Sequence, residues 1–82
     1  MNDDEVIEAL RSAKGTLTPV ELARLAERLA GSALTQGGMI TIFQRAFPNI
    51  PLRVLLDAGA WSHVSDGGLD DEAFNDLLRP WL

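Results

Sequence analysis

A central apolar stretch, residues 39–61, most constrains the fold of this chain. Its sequence, MITIFQRAFPNIPLRVLLDAGAW, contains two short segments that are too apolar to face water on every side. The segments meet at residues 47–51, where Pro48 and Pro51 restrict the backbone and prevent one continuous helix. The remaining sequence predicts amphipathic helices that pack against these two segments.

Length and composition predict a single helical domain over residues 1–82. Hydrophobic residues make up 46% of the chain, enough for one small core, and there is no cysteine for a disulfide or a thiolate metal site. The N-terminus is acidic where a signal peptide would be basic, and no apolar run approaches the roughly 18–20 residues of a membrane span. We therefore expect a soluble, cytoplasmic protein without a cofactor.

Hydrophobic periodicity predicts five helices. They cover residues 3–14, 19–30, 39–47, 51–58 and 71–78, and residues 60–64 are a candidate sixth turn. A strand is a rival only at residues 40–42, but the apolar positions there do not alternate and no partner strand is available. The predicted fold is all-α, a compact antiparallel bundle of five to six short helices.

Several helix ends carry recognisable capping residues. Asn2 can cap the first helix, and Asp70 can cap the last. Thr18 and Glu21 flank Pro19 in the pattern of a capping box at the start of the second helix. Gly31 is expected to end that helix.

The central segments carry three further predictions. The glycines at positions 37 and 38 predict a flexible connection before the third helix. Trp61 is expected to fill the core, and Val54 is expected on the far side of the fourth helix. Three leucines of that helix are expected to face inward: Leu52, Leu55 and Leu56.

Two short patterns resemble functional motifs but do not meet the requirements of those motifs. His63 lies beside Ser62, Ser65 and Asp66, but neighbours in one loop rarely reach the geometry of a catalytic triad. Residues 65–74 resemble the second half of an EF-hand loop, yet an alanine occupies the position of the bidentate glutamate. The sequence therefore predicts neither an enzyme nor a metal site.

Residues 21–43 can also be interpreted as a helix-turn-helix. The second helix would then present residues 39–43, MITIF, to DNA, although such side chains are typical of a core. The net charge of −5 also opposes binding to nucleic acid. A DNA-binding domain is the weaker alternative.

Charges are separated along the chain. Residues 1–8 carry four acids and no base, residues 9–56 carry six bases and two acids, and residues 57–76 carry six acids and no base.

We expect a basic face made of Arg24, Arg28, Arg45 and Arg53. Its complement on another molecule would be an acidic face made of Asp57, Asp66, Asp70, Asp71 and Glu72, or the acids of residues 3–8. Such patches give head-to-tail contacts, with Val54 and Trp81 as candidate apolar centres. A solvated surface without a binding role is the alternative.

The chain resembles a known class of domain. The resemblance depends on the size of the chain, the helix count, the central AFPNIPLRVLL (residues 46–56) and the separated charges. This class is the bacterial death-fold adaptors of antiphage systems, namely the effector-associated and caspase-recruitment-like (CARD-like) domains. The resemblance implies a death-fold-like adaptor module of a larger protein, which binds its own kind or a related domain and recruits or clusters an attached effector. The net charge of −5 argues separately against nucleic acid and membrane as partners. A rival interpretation is a stand-alone immunity or antitoxin-like protein whose acidic residues 57–76 cover a basic target.

Overall fold

The predicted helices are present and make up most of the described chain. The computed structural model describes residues 3–82, so the predicted cap Asn2 lies outside the described residues. The α-helices of that range are α1 (Asp3–Ala13), α2 (Pro19–Ala30), α3 (Gln36–Ala46), α4 (Leu52–Ala58) and α5 (Asp71–Leu78), followed by a 3₁₀ turn at Arg79–Trp81. The prediction of a compact all-α bundle is confirmed.

The helices surround one core. Helix α1 packs against α2 and α3, α5 packs against α2 and α4, and α3 packs against α4, so the five helices close into a ring. The largest fully buried side chains are Trp61, Phe43, Phe47 and Phe74. Phe43 meets Phe47 edge-to-face at 5.6 Å between ring centroids, and Trp61 stacks on Phe74 at 4.2 Å. Phe43 also meets Phe74 edge-to-face, so these aromatic contacts join α3 and α5 through the centre of the molecule.

Capping residues explain where α2 and α5 begin and where α2 ends. Thr18 Oγ1 accepts a hydrogen bond from the Glu21 N–H, and the Glu21 carboxylate accepts one from the Thr18 N–H, which completes the capping box. Gly31 follows α2 with a φ of 74°, a left-handed conformation that glycine adopts without strain. Asp70 Oδ1 accepts a hydrogen bond from the Ala73 N–H at 2.8 Å. These three predicted helix ends are confirmed.

Helix α3 begins earlier than predicted, so the glycines at positions 37 and 38 belong to its first turn. Thr35 is the N-cap, and its Oγ1 accepts a hydrogen bond from the Gly38 N–H at 3.0 Å. The Gln36 side chain donates to the Gly59 carbonyl oxygen at 2.9 Å, which ties this turn to the end of α4. These bonds offset the cost of roughly 1 kcal/mol that a helical glycine carries. The prediction of a connection at these glycines was wrong.

Helix α4 exposes two leucines that were predicted to face the core. Leu55 is fully buried, but Leu52 is 48% exposed and Leu56 is 57% exposed. Val54, predicted on the far side, is half-buried and packs against the core. Positions 54, 55 and 58 share the inner side of the helix at its spacing of about 100° per residue, which leaves positions 52 and 56 outside. The predicted inward set was therefore wrong for Leu52 and Leu56.

The connection between α4 and α5 holds Trp61 in the core without a sixth α-helix. Residues 60–64 form turns, and Trp61 pairs with Leu69 through an isolated parallel bridge. The Ser62 N–H donates to the Leu69 carbonyl oxygen at 2.7 Å, and the Leu69 N–H donates to the Ala60 carbonyl oxygen at 3.0 Å. The predicted burial of Trp61 is confirmed, and these backbone bonds stabilise its loop.

Candidate protein-binding surface

The outer side of α4 combines apolar and charged side chains in two adjacent rows. Leu52 and Leu56 lie one helical turn apart and are the most exposed large hydrophobic side chains of residues 3–82. Arg53 and Asp57 also lie one turn apart, and both are exposed. Neighbouring positions differ by about 100° around a helix, so the leucine row and the charged row lie side by side. We call these four residues the α4 surface.

The two charges of the α4 surface are free within the described chain. Arg53 and Asp57 do not pair with each other, and neither side chain forms an ion pair or hydrogen bond with another residue in the range 3–82. Their order along the helix, base before acid, is the less favourable one for an internal pair. Both charges are therefore available to another molecule.

Two arginines of the predicted basic face are paired inside the molecule. Arg24 Nη2 lies 3.5 Å from Asp71 Oδ2, and Arg45 Nη2 lies 3.4 Å from Asp4 Oδ1. Both pairs are exposed to solvent, so each is expected to stabilise the fold by only about 0–1 kcal/mol. The first pair joins a predicted basic residue to a predicted acidic one across the contact between α2 and α5. Charges that are separated in the sequence therefore meet at these two positions.

The remaining predicted charges differ in what they contact. The Asp70 carboxylate caps α5, and Asp71 accepts a hydrogen bond from Trp61 Nε1 at 2.7 Å, so both acids support the fold. Three exposed residues have neither an ion pair nor a side-chain hydrogen bond in the described part of the chain: Arg28, Asp66 and Glu72. These three, with the pair on α4, are the predicted partner-binding residues whose charges are free.

The two residues predicted as apolar centres are not strongly exposed. Val54 and Trp81 are half-buried against the core, and Asn49 Nδ2 donates to the Trp81 carbonyl oxygen at 2.8 Å. The leucines of the α4 surface are the better candidates. On a helical projection, Val54 adjoins the charges at 53 and 57 as closely as Leu56 does, so the sequence pattern does not identify the exposed leucines.

His63 joins its loop to α2. Its Nε2 lies 2.9 Å from both carboxylate oxygens of Glu27, and its ring stacks on Trp61 with centroids 4.7 Å apart. An ionised carboxylate only accepts hydrogen bonds, so Nε2 carries the proton in this contact. Ser65 Oγ donates to the Gly59 carbonyl oxygen instead of to the imidazole. The histidine therefore has a structural partner 36 residues away.

We expect the Glu27 contact to make stability depend on acid pH. Partial burial raises the pKa of Glu27, but hydrogen bonds from the Leu34 N–H and from His63 together outweigh it, so the pKa lies below its ordinary value. A carboxyl with a lowered folded-state pKa stabilises the fold above its unfolded value of about 4.3. That contribution is lost as the pH falls through the lowered pKa.

Urea unfolding of Glu27→Gln from pH 7 to pH 3 measures this contribution. The variant should be about 1–2 kcal/mol less stable than the wild type at pH 7, and the difference should shrink as the pH falls below about 4. Ser62→Ala, whose hydroxyl makes no hydrogen bond in residues 3–82, is the control and should follow the wild type. A difference between Glu27→Gln and the wild type that stays constant with pH would contradict the assignment.

The described residues form small cavities and no cluster of metal ligands. One open cavity, of about 240 Å³, lies between residues 15–19 and Arg79. A second, of about 250 Å³, lies between α1 and Arg45. Both are smaller than the roughly 300 Å³ at which ligand pockets usually begin. Residues 3–82 contain no group of three or more histidine, cysteine, aspartate or glutamate side chains that could hold a metal ion. No helix of this range has the length and apolar character needed to cross a bilayer.

The sequence and the fold were compared with family models, with curated proteins and with solved structures. None of the three comparisons finds a match to this chain.

Proposed function

We propose that this chain is a protein–protein interaction module of the adaptor type, which associates with its own kind through a contact centred on the α4 surface. The observation that carries the proposal is the exposure of Leu52 and Leu56, at 48% and 57%, beside two charges without internal partners. A helix whose inner side is fully packed gains nothing in the monomer from two exposed leucines on its outer side. Burial against another protein would stabilise both side chains.

The α4 surface fits the centre of an interface better than a whole one. A standard interface buries about 800 Å² on each partner, more than two leucine side chains can supply. Helices α3 and α5 flank α4 and would contribute the polar rim, with the free charge of Glu72 on α5 as one candidate. Free charges at a rim mainly set partner choice and the rate of encounter.

The resemblance to bacterial death-fold adaptors supplies the class of partner. It suggests a helical domain of the same or a related kind, in a larger protein of an antiphage system. The immunity-protein alternative receives less support, because several acids of residues 57–76 are engaged within the molecule. Asp70 caps α5, Asp71 binds Trp61 and Arg24, and Asp76 pairs with Arg79 at 2.8 Å. Fewer carboxylates are left to cover a basic target.

The DNA-binding alternative also receives less support. Met39 and Phe43, which a reading helix would present to DNA, are completely buried. Removing them from the core to contact bases would cost several kcal/mol.

Self-association, measured by sedimentation equilibrium over a range of concentrations, tests the proposed function. We expect the wild type to associate, and Leu52→Gln with Leu56→Gln to weaken association by at least about tenfold, because burial of these side chains is lost on both copies. Both positions are exposed, so the variant should fold like the wild type. Ser12→Gln on the exposed side of α1 is the control and should associate normally. A wild type that remains monomeric up to about 1 mM, or a double variant that associates as well as the wild type, would overturn the proposal.

A further inference from the structure

We infer that the α4 surface binds the α4 surface of a second copy of this chain in a two-fold symmetric, antiparallel arrangement. The inference rests on the proposed function and specifies the partner and the geometry of that same contact. Its basis is that the four side chains of the α4 surface are complementary to themselves in this arrangement.

The complementarity follows from the two rows on the helix. In this arrangement, two α4 helices face each other with antiparallel axes. The two-fold axis that relates them lies between them and is perpendicular both to the helices and to the line that joins them. This rotation keeps each row on its own side of the contact and reverses its direction along the helix. Leu52 and Leu56 of one copy then pack against the same two leucines of the second copy. In the other row, Arg53 of one copy lies opposite Asp57 of the second copy, and the symmetry repeats that pair.

Other arrangements of the same surface leave unfavourable contacts. With parallel helices, the two-fold axis lies along the helices and exchanges the rows, so the leucines of one copy face the charges of the other. Charged groups would then lose water without gaining a partner. A head-to-tail contact between the α4 surface and a different patch would leave one α4 surface exposed at the end of each open assembly. Of the two ways in which one α4 surface can pack on another, only the antiparallel one buries all four leucines and pairs all four charges at once.

The free state of Arg53 and Asp57 supports this choice of partner. Neither side chain has an ion pair or side-chain hydrogen bond with any other residue in the described range 3–82, although base and acid lie one turn apart on the same helix. Arg53 and Asp57 lie about 6 Å apart along the helix axis, and this offset places each of them opposite its complement on an antiparallel copy. A second copy of the chain would therefore supply a partner for both charges.

Charge reversal at the two positions, followed by mixing, tests the geometry. Arg53→Glu alone places a new carboxylate opposite Asp57 of the other copy, and Asp57→Lys alone places a new ammonium group opposite Arg53, each of them twice in the dimer. We expect each variant alone to dimerise at least about tenfold more weakly than the wild type at low salt. In a mixture of the two, every opposed pair carries opposite charges again, so a one-to-one heterodimer should form with close to the wild-type affinity. The double variant carrying both changes should likewise dimerise with itself.

Sedimentation equilibrium and analytical gel filtration measure these outcomes, with circular dichroism to verify that each variant is folded. Lys14→Glu and Ser12→Lys, which introduce an acid and a base at exposed positions away from α4, are the matched controls and should leave dimerisation unchanged. Growth of the wild type beyond a dimer, or failure of both the mixture and the double variant to recover association, would overturn the antiparallel geometry. If the wild type still associates and still depends on Leu52 and Leu56, the proposed function survives that result. If the wild type does not associate at all, both proposals fail together.

Discussion

Trp61→Ala should cause the largest loss of stability that we expect from a single substitution. Trp61 is completely buried, stacks on Phe74 at 4.2 Å and on His63 at 4.7 Å, and donates from Nε1 to Asp71 at 2.7 Å. Truncation of a buried tryptophan typically costs about 3–5 kcal/mol. A chain of 82 residues is expected to have a total stability of roughly 4–12 kcal/mol. One side chain therefore supports a large fraction of the stability of the fold.

The conservative variant Trp61→Phe separates the packing of this side chain from its hydrogen bond. Phenylalanine keeps a ring against Phe74 but removes the Nε1 donor, so Asp71 loses that partner and keeps Arg24 and solvent. We expect a loss of about 1–2 kcal/mol, clearly smaller than for alanine. Urea unfolding followed by circular dichroism is the measurement, because Trp81 would confuse a fluorescence signal. A loss below about 1 kcal/mol for Trp61→Ala would show that this side chain is not central to the core.

Gly67→Ala should destabilise the protein by about 1–3 kcal/mol or more through a steric clash with the backbone. A Cβ atom at position 67 would lie 2.5 Å from the Ala60 Cα and 2.6 Å from the Ala60 carbonyl oxygen. Backbone atoms cannot move aside as the end of a flexible side chain can, so the loop must shift as a whole. That loop carries the bridge between Trp61 and Leu69, and a shift would disturb the core beneath it.

Two other glycines are matched controls for this substitution. Gly68 has a φ of +84° with open space around it, so Gly68→Ala measures backbone strain alone, about 1–2 kcal/mol. Gly37 lies in the first turn of α3, also with open space, and Gly37→Ala should stabilise the protein by about 0.5–1 kcal/mol. Thermal or urea unfolding of the three variants gives the comparison. A Gly67→Ala protein as stable as the wild type would mean that the backbones at positions 60 and 67 are not in close contact.

The candidate binding surface was only partly predictable from the sequence. The separation of charges along the chain identifies Arg53 as part of the predicted basic face and Asp57 as part of the predicted acidic face. Leu52 and Leu56 were assigned to the core, because hydrophobicity alone does not say which side of a short helix its neighbours cover. The wider charge pattern was a weaker guide, since separation along the chain does not keep charges apart in space. Arg24 and Asp71 show this, because they lie 47 residues apart in the chain and 3.5 Å apart in the fold.

The sequence by itself determined the local features of this protein. These features depend on interactions between residues within about four positions of one another. They include the capping box at Thr18, the cap at Asp70, the left-handed stop at Gly31 and the approximate positions of the helices. The tertiary structure alone decided three other features. These are the pairing of His63 with Glu27, the bridge that positions Trp61 and the exposure of the α4 leucines. Each of these depends on which distant segment lies alongside. A closed ring of five helices leaves α4 neighbours on its inner side only, and that packing leaves the α4 surface open to another molecule.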